Sequence, residues 1–340
     1  MTNSLVLKEA LSIPSVIGKF AFSDKNPYQE ITDLINQKKI KYIVTIARGT
    51  SDCAALYSSY IFAKYLGLPS YSMPPSIITL EKSKFNFSEA LVIVISQSGK
   101  SNDLIECEKK SQEFGAITML ISNNENSPII NSVNYFFNMF AGVEKSVAAT
   151  KSFVQTLLIL KKLVFICQGK QKINDSIKLL SDTLLKDANN QWSIDLVDSR
   201  VNSGFILGRG VGFALSNEIS LKFKELCQEM IEPFSSAEVM HGPKSLIQDT
   251  FKLFTLSMND KSGLTVQNDS NEITKYTKLV YNISSAKDQS KNFYFPSNQI
   301  TEFDSIVIMS KFYPWIVRYT QNKGLDPDKP RYLTKVTQTF

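Results

Sequence analysis

Short apolar, β-branched runs alternate along the first half of this chain with longer amphipathic stretches. Lys41–Ala47 (KYIVTIA), Leu91–Ile95 (LVIVI) and Ala116–Ser122 (AITMLIS) have the length and composition of strands buried on both faces. Weaker strand signals sit near Tyr71 and over Tyr135–Met139. Between them the pattern predicts an N-terminal helical stretch over about 5–38 and a helix CAALYSSYIFAKYLG closing at Gly67. After a turn at Pro74 and Pro75 it predicts further helices over roughly 77–83, 103–114, 147–169 (long and amphipathic) and 173–195. The pattern then restarts: a strand at Gly204–Gly208 (GFILG), a turn at Arg209-Gly210, a helix over 212–229 and a strand over 251–258. Strands alternating with helices at this spacing predict an α/β fold with mostly parallel sheets flanked by helices. The restart predicts a duplicated unit, with Arg48-Gly49 and Arg209-Gly210 in equivalent strand-to-helix turns. The expected organisation is a helical arm (1–38), a first α/β domain (39–170), a connecting helix (171–198), a second α/β domain (199–325) and a tail (326–340) laid over a site.

A length of 340 residues accommodates two such domains. Composition is that of an ordinary globular chain, 43% hydrophobic and 21% charged. The net charge of +6 comes from scattered lysines with no basic run interleaved with aromatics, so no nucleic-acid partner is expected, while a small anionic substrate fits. The longest apolar stretch, Phe153–Cys167, is interrupted by Gln155, Lys161 and Lys162, and the N-terminus lacks the pattern of a signal peptide. A cytoplasmic protein with no membrane partner is therefore expected. Cys53, Cys107, Cys167 and Cys227 are widely spaced and accompany a single histidine, which argues against a zinc site and for reduced thiols. Neither metal nor cofactor is expected.

The chemistry concentrates where Leu91–Ile95 runs into Ser96, Gln97, Ser98, Gly99, Lys100 and Ser101, followed by a helix with Asp103 near its start. Serine hydroxyls and the N–H groups of a helix start suit an anion, and glycine permits close approach. The GxxxxGK[ST] spacing is absent, so the loop reads as a monophosphate cradle, against the alternative of an ordinary polar turn. The second copy has SMNDKSG at the corresponding place, so the first copy is the one expected to hold phosphate.

Three further groups qualify for acid–base work. Glu218, Lys222 and Glu225 share one face of a predicted helix. They are either a solvated ion-paired face or a partly buried base with a raised pKa, since Ile219, Leu221, Phe223 and Leu226 share the helix. His241 precedes Gly242-Pro243, which places the imidazole on a turn where it can move protons. Lys335 has no local partner and is either simply solvated or approaches a sugar carbonyl or ring oxygen.

Six segments in order, ARGTSD (47–52), SQSGKS (96–101), SVAATKSF (146–153), EISLKFKE (218–225), SAEVMHGP (236–243) and PRYLTKVT (330–337), resemble the two-domain sugar isomerase (SIS) family almost end to end. The resemblance is to the isomerase half of glucosamine-6-phosphate synthase, and closest to stand-alone SIS-type glucosamine-6-phosphate deaminases. It implies two tandem SIS domains, each a flavodoxin-like three-layer sandwich. It implies that Thr50, Ser51, Ser96, Gln97, Ser98 and Ser101 hold the phosphate of a phosphosugar, and that Val147 and Ala149 line the sugar pocket. It also implies Glu225 as the base between C1 and C2, His241 and Lys335 in ring opening or at the imine stage, and Glu218 in support. A homodimer that lends His241 across its interface is implied as well. Two departures stand out: the chain begins MTNSLVLKE with no room for a glutaminase domain, and position 100 is lysine where the synthases usually carry glutamate. The expected activity is conversion of glucosamine 6-phosphate to fructose 6-phosphate and ammonia. The competing readings are a phosphosugar isomerase, a fructosamine-phosphate deglycase, and a phosphosugar-sensing regulator.

Overall fold

The computed structural model describes residues 4–170, 172–286 and 292–335. The chain runs α1 (Leu5–Leu11), α2 (Ile13–Ser23), α3 (Tyr28–Asn36), β1 (Tyr42–Ile46), α4 (Thr50–Leu66), β2 (Ser70–Ser72), α5 (Pro75–Thr79), β3 (Ala90–Ile95), α6 (Asn102–Glu113), β4 (Ile117–Ser122), β5 (Tyr135–Asn138), α7 (Lys151–Cys167) and α8 (Ile173–Lys186). It continues through β6 (Ser203–Gly208), α9 (Val211–Lys222), β7 (Met230–Ser235), β8 (Lys252–Ser257), α10 (Lys261–Ile273), β9 (Val280–Ser284), β10 (Asn292–Tyr294) and α11 (Asp304–Asn322). Two compact units result. Of the described residues, the first holds 16–144, 151–170, 172–178 and 334–335; the second holds 4–15, 145–150, 179–286 and 292–333.

In the first unit the sheet is parallel throughout, with strand order β2-β1-β3-β4-β5. Central β3 is buried at every position, as its unbroken apolar run requires. Alternate residues Val92 and Val94 pack with Ile78 of α5 and Leu104 and Cys107 of α6. Helix α4 packs against α7, and α7 against α3. Gly67 closes α4 in the left-handed conformation that its sequence position predicts.

In the second unit the order is β10-β9-β8-β6-β7, again all parallel. Counted from β6, this is the strand order of the first sheet. Phe205, Leu207, Leu253, Val266 and Ile273 form one core cluster, and Phe223, Phe254, Phe293, Trp315 and Tyr319 an aromatic one.

Several expectations need correction. The N-terminal arm is three helices, divided between the units: α1 belongs to the second, where Asp328 accepts the Leu5 and Val6 N–H groups at 2.8 and 2.9 Å. The tail is thus tied to α1 through Asp328, and its residues 336–340 lie outside the described residues. The helix after the proline pair starts at Pro75 itself, where a missing N–H costs nothing, and ends at Thr79. Helix α7 begins at Lys151 rather than Val147, and is buried from Lys151 through Phe165, so it is an interior helix and not an amphipathic one. The expected connecting helix stops at Lys186, with only a 3₁₀ turn at Ile194–Leu196 beyond it. Helix α9 ends at Lys222 and passes into a π-helical turn, Phe223–Cys227, instead of continuing to Glu229.

Candidate functional site

In a sheet of order β2-β1-β3-β4-β5, the helix after β1 leads one way and the helix after β3 the other. Their loops flank a crevice at the strand ends, the usual place for a ligand in such sheets. Thr50 and Ser51 open α4 on one side, after Gly49 at φ 55°. The Ser96–Ser101 loop lies on the other and enters α6 through Ser101, whose hydroxyl makes no capping bond to the helix. Arg48 ties the two sides together: its Nε and Nη2 both reach Asp103 Oδ2 at 2.9 Å, and the Asp103 side chain is buried.

The loop is held from outside and keeps its own donors. Gly99 N–H donates to Ser96 Oγ (3.0 Å) and Lys100 N–H to Ser98 Oγ (3.3 Å). Both hydroxyls act as acceptors there, which leaves their protons for a ligand. Asn124 Nδ2 donates to the Ser98 carbonyl and Ser127 Oγ to the Gly99 carbonyl, both at 2.7 Å, and Ser122 Oγ to the Gln97 carbonyl at 3.3 Å. Gly99 sits at φ +61°, and a Cβ there would lie 2.3 Å from Ser127 Oγ. Gly99→Ala is therefore expected to push the loop off Ser127 and to weaken phosphate binding at least tenfold, with a stability loss of about 1–3 kcal/mol. Titration with inorganic phosphate beside a thermal melt checks this, and unchanged affinity would remove the cradle assignment.

The second unit holds the acidic cluster. Glu218 and Lys222 are completely buried on α9, and Glu225 in the π-helical turn is about one-fifth exposed. Lys222 Nζ lies 3.1 Å from Glu218 Oε1 and 2.7 Å from Glu225 Oε2. Tyr313 of α11 donates its hydroxyl to Glu218 Oε1 at 2.8 Å, and Glu218 Oε2 is buried without a hydrogen bond. Burial raises the Glu218 carboxyl to about 6, opposed by the Lys222 charge and assisted by that of Glu225. Full burial works against the Lys222 charge too, but its two carboxylates outweigh it and hold the ammonium above its ordinary range. Of the two sequence alternatives for this face, the solvated one is therefore excluded. An anionic, water-accessible Glu225 beside a fixed ammonium is an arrangement that can take and return a proton.

His241 ends a 3₁₀ turn, Glu238–His241, and is exposed before Gly242. Val147 and Ala149 lie half-buried in the irregular segment 145–150, alternating with buried Ser146, Ala148 and Thr150. Lys335 belongs to the first unit, with Nζ 3.3 Å from Glu144 Oε2. Thr50, Ser51 and the Ser96–Ser101 loop thus share one unit, while Glu218, Glu225 and His241 share the other.

Residues 34–165 match the SIS domain family. A glutamine–fructose-6-phosphate aminotransferase (isomerizing) from Sulfolobus acidocaldarius is 30% identical over 303 residues, covering 86% of this chain and 49% of that protein. The chain carries an SIS domain over residues 34–165. A structure from Silicibacter pomeroyi DSS-3 assigned as a phosphosugar isomerase superposes with TM-score 0.84 at 27% identity, over 95% of this chain and 99% of that one. The C-terminal domain of glucosamine-fructose-6-phosphate aminotransferase from Francisella tularensis superposes with TM-score 0.82 at 23% identity, over 97% and 98%, and shares the fold. The chain spans about half the length of the curated relatives it matches.

The Ser96–Ser101 loop has a counterpart in the second unit. Gly210 there has φ 57° and ψ −131°, against 55° and −130° at Gly49, so the first turns are the same. At the second turn, however, the Asp260 carboxylate accepts the Gly263 N–H at 2.9 Å and caps α10 itself. In the first unit a carboxylate also lies on the α6 start, Asp103 Oδ1 accepting the Leu104 N–H at 2.9 Å, so the units differ in which position supplies it: the second helical residue there, the cap residue here.

Sequence reading missed three side chains that organise these segments. Glu9 of α1 accepts the Lys145 N–H at 2.7 Å and the Ser146 N–H at 3.2 Å, and bonds the Ser146 hydroxyl, fixing the start of the segment with Val147 and Ala149. Tyr313 orients Glu218, and Glu144 receives Lys335. Each acts over a long sequence separation, and no local spacing announces such a pairing. Among the described residues no cluster of metal-ligating side chains occurs, and no helix is long and apolar enough to cross a membrane. No disulfide joins the four cysteines, and burial pushes the Cys107 and Cys227 thiols up to about 12.

Proposed function

We propose that the protein is an enzyme acting on hexose 6-phosphates, moving a proton between C1 and C2, and that its substrate is glucosamine 6-phosphate. The observation that carries this reading is Glu225, accessible to water and held 2.7 Å from the fully buried Lys222 ammonium. The Ser96–Ser101 loop with Thr50 and Ser51 anchors the phosphate, remote from the reacting carbons, so that its binding energy goes into positioning. His241 assists ring opening, supplied by the neighbouring subunit of a homodimer, and Lys335 hydrogen-bonds the ring or carbonyl oxygen. Glu225 then takes the C2 proton of the open aldehyde and returns a proton at C1. The 2-amine becomes an imine, water adds at C2, and ammonia leaves with fructose 6-phosphate as the other product. No cofactor enters this sequence of steps. Val147 and Ala149 line the sugar, and Glu218 keeps Lys222 in place.

An assay for ammonia and ketose across a panel of amino and keto hexose 6-phosphates tests the reading. Ammonia from glucosamine 6-phosphate is expected. Interconversion of keto and aldo sugars alone would point to a plain isomerase, ammonia-free cleavage of a fructosamine phosphate to a deglycase, and binding without turnover to a sensor.

A pH dependence follows from Glu218. As pH falls through about 6 its carboxyl takes a proton, and the Glu225 carboxylate 2.7 Å from Lys222 remains as its counter-charge. The ammonium then pairs more tightly with the Glu225 carboxylate and holds it back from the sugar. The kcat profile is expected to fall on the acid side with a midpoint near 6. Glu218→Gln is expected to abolish that limb; a profile identical to wild type would refute the link. The linkage to stability has the opposite sense. A carboxyl raised above its unfolded value favours the fold fully below that value, and loses the contribution as pH rises through about 6.

A further inference from the structure

Glu144 stands immediately before the segment 145–150, and its side chain is completely buried. Its carboxylate accepts the Ser152 N–H at 3.2 Å through Oε1 and the Ser152 hydroxyl at 2.6 Å through Oε2. Ser152 is the second residue of α7, so the carboxylate sits on the positive end of a long interior helix. Lys151 Nζ donates to the Val143 carbonyl at 2.7 Å and fixes the approach of the chain. Glu144 is therefore a rigid anionic post whose position does not depend on Lys335. The Lys335 ammonium meets Oε2 at 3.3 Å and stays about one-quarter exposed. The contact is a single, partly solvated ion pair at the end of the described chain, strong enough to select a position and weak enough to exchange.

We infer that Glu144 is the positioning residue for Lys335. It holds the Lys335 side chain at a fixed place in the first unit, ready to donate to a sugar oxygen. The role of Lys335 in this inference rests on the proposed function, whereas the docking of the tail does not.

Two kinds of measurement separate these parts. Hydrogen exchange over the peptide that contains 330–335 reads docking without any substrate. Glu144→Gln is expected to raise exchange there at least tenfold while α7 stays protected, because the amide still offers Oε1 to the Ser152 N–H. Lys335→Met removes the cation without touching the helix cap and is expected to free the same peptide, which covers the case of a poorly folded Glu144 variant. Glu144→Asp keeps the charge and is expected to restore part of the protection. In turnover, Glu144→Gln is expected to lower kcat at least tenfold with little change in affinity for inorganic phosphate, and to add nothing to Lys335→Met in the double variant. Unchanged exchange in both single variants would overturn the latch, and additive losses of kcat would overturn its role in positioning Lys335. A wild-type chain inactive on every sugar phosphate would defeat the proposed function, and the exchange measurement would still decide the docking.

Discussion

Glu225→Gln is expected to lower kcat for the amino sugar phosphate by roughly 10²–10⁴-fold, the contribution typical of a positioned general base. Affinity for the phosphate-anchored sugar is expected to stay within about twofold, because the cradle residues are untouched. The structure explains why the variant is a clean probe. Glu225 is partly exposed, so exchanging its carboxylate for an amide buries no new polar group. The amide oxygen can still accept the Lys222 proton now bonded to Glu225 Oε2 at 2.7 Å, so the ammonium keeps two acceptors. What is lost is the ability to take a proton from carbon. The measurement is kcat by ammonia release alongside direct titration of the sugar phosphate. Turnover near the wild-type rate would remove Glu225 from the role of base, and a loss confined to affinity would make it a binding residue instead.

Much of the scaffold under this site is legible in the chain, and the reasons for the rest are physical. β3 is an unbroken apolar run and β1 and β4 are nearly so, interrupted only by threonine and serine, because a parallel sheet covered on both faces favours such residues, and the Ser96–Ser101 loop begins where the β3 run ends. β7 hides because it is an edge strand with Glu232 and Pro233 in it, residues tolerated only where one side needs no partner. β10, three residues long, gives a period of two no room to show. α11 carries Lys311 and Pro314 inside an almost wholly buried helix, so its amphipathic signature is gone. The spacing of Glu218 and Lys222 predicts their contact correctly. The π-helical turn from Phe223 changes the register at which Glu225 emerges, and it is there, at the break, that the carboxylate reaches water. The difference between the two units was legible as a difference of loops. The structure adds that Asp260 caps the α10 start, whereas in the first unit Asp103, inside α6, accepts the Leu104 N–H.

Lys222→Met is expected to destabilise the fold by about 3–5 kcal/mol, the usual consequence of removing one partner of a buried ion pair. Lys222 and Glu218 are both completely shielded from water, and Glu218 already has one oxygen buried without a hydrogen bond. Without the ammonium, Glu218 retains the Tyr313 hydroxyl at 2.8 Å and faces the Glu225 charge with no cation between them. Its carboxyl must then take up a proton on folding, so the loss is expected to deepen as pH rises above the ordinary carboxylate range. A cycle with Glu218→Gln isolates the cause. In the double variant the methionine fills the lysine's volume and the amide keeps the Tyr313 bond, so well over half of the lost stability is expected to return, with a coupling energy of about 2 kcal/mol or more. Denaturant unfolding of the four proteins at pH 5 and pH 8 measures both effects. Turnover stays low in the double variant on this account, because Glu225 has lost the group that pins it. A Lys222→Met protein as stable as wild type at pH 8, or a strictly additive cycle, would mean that water reaches the cluster and that the burial on which the whole arrangement depends is not real in solution.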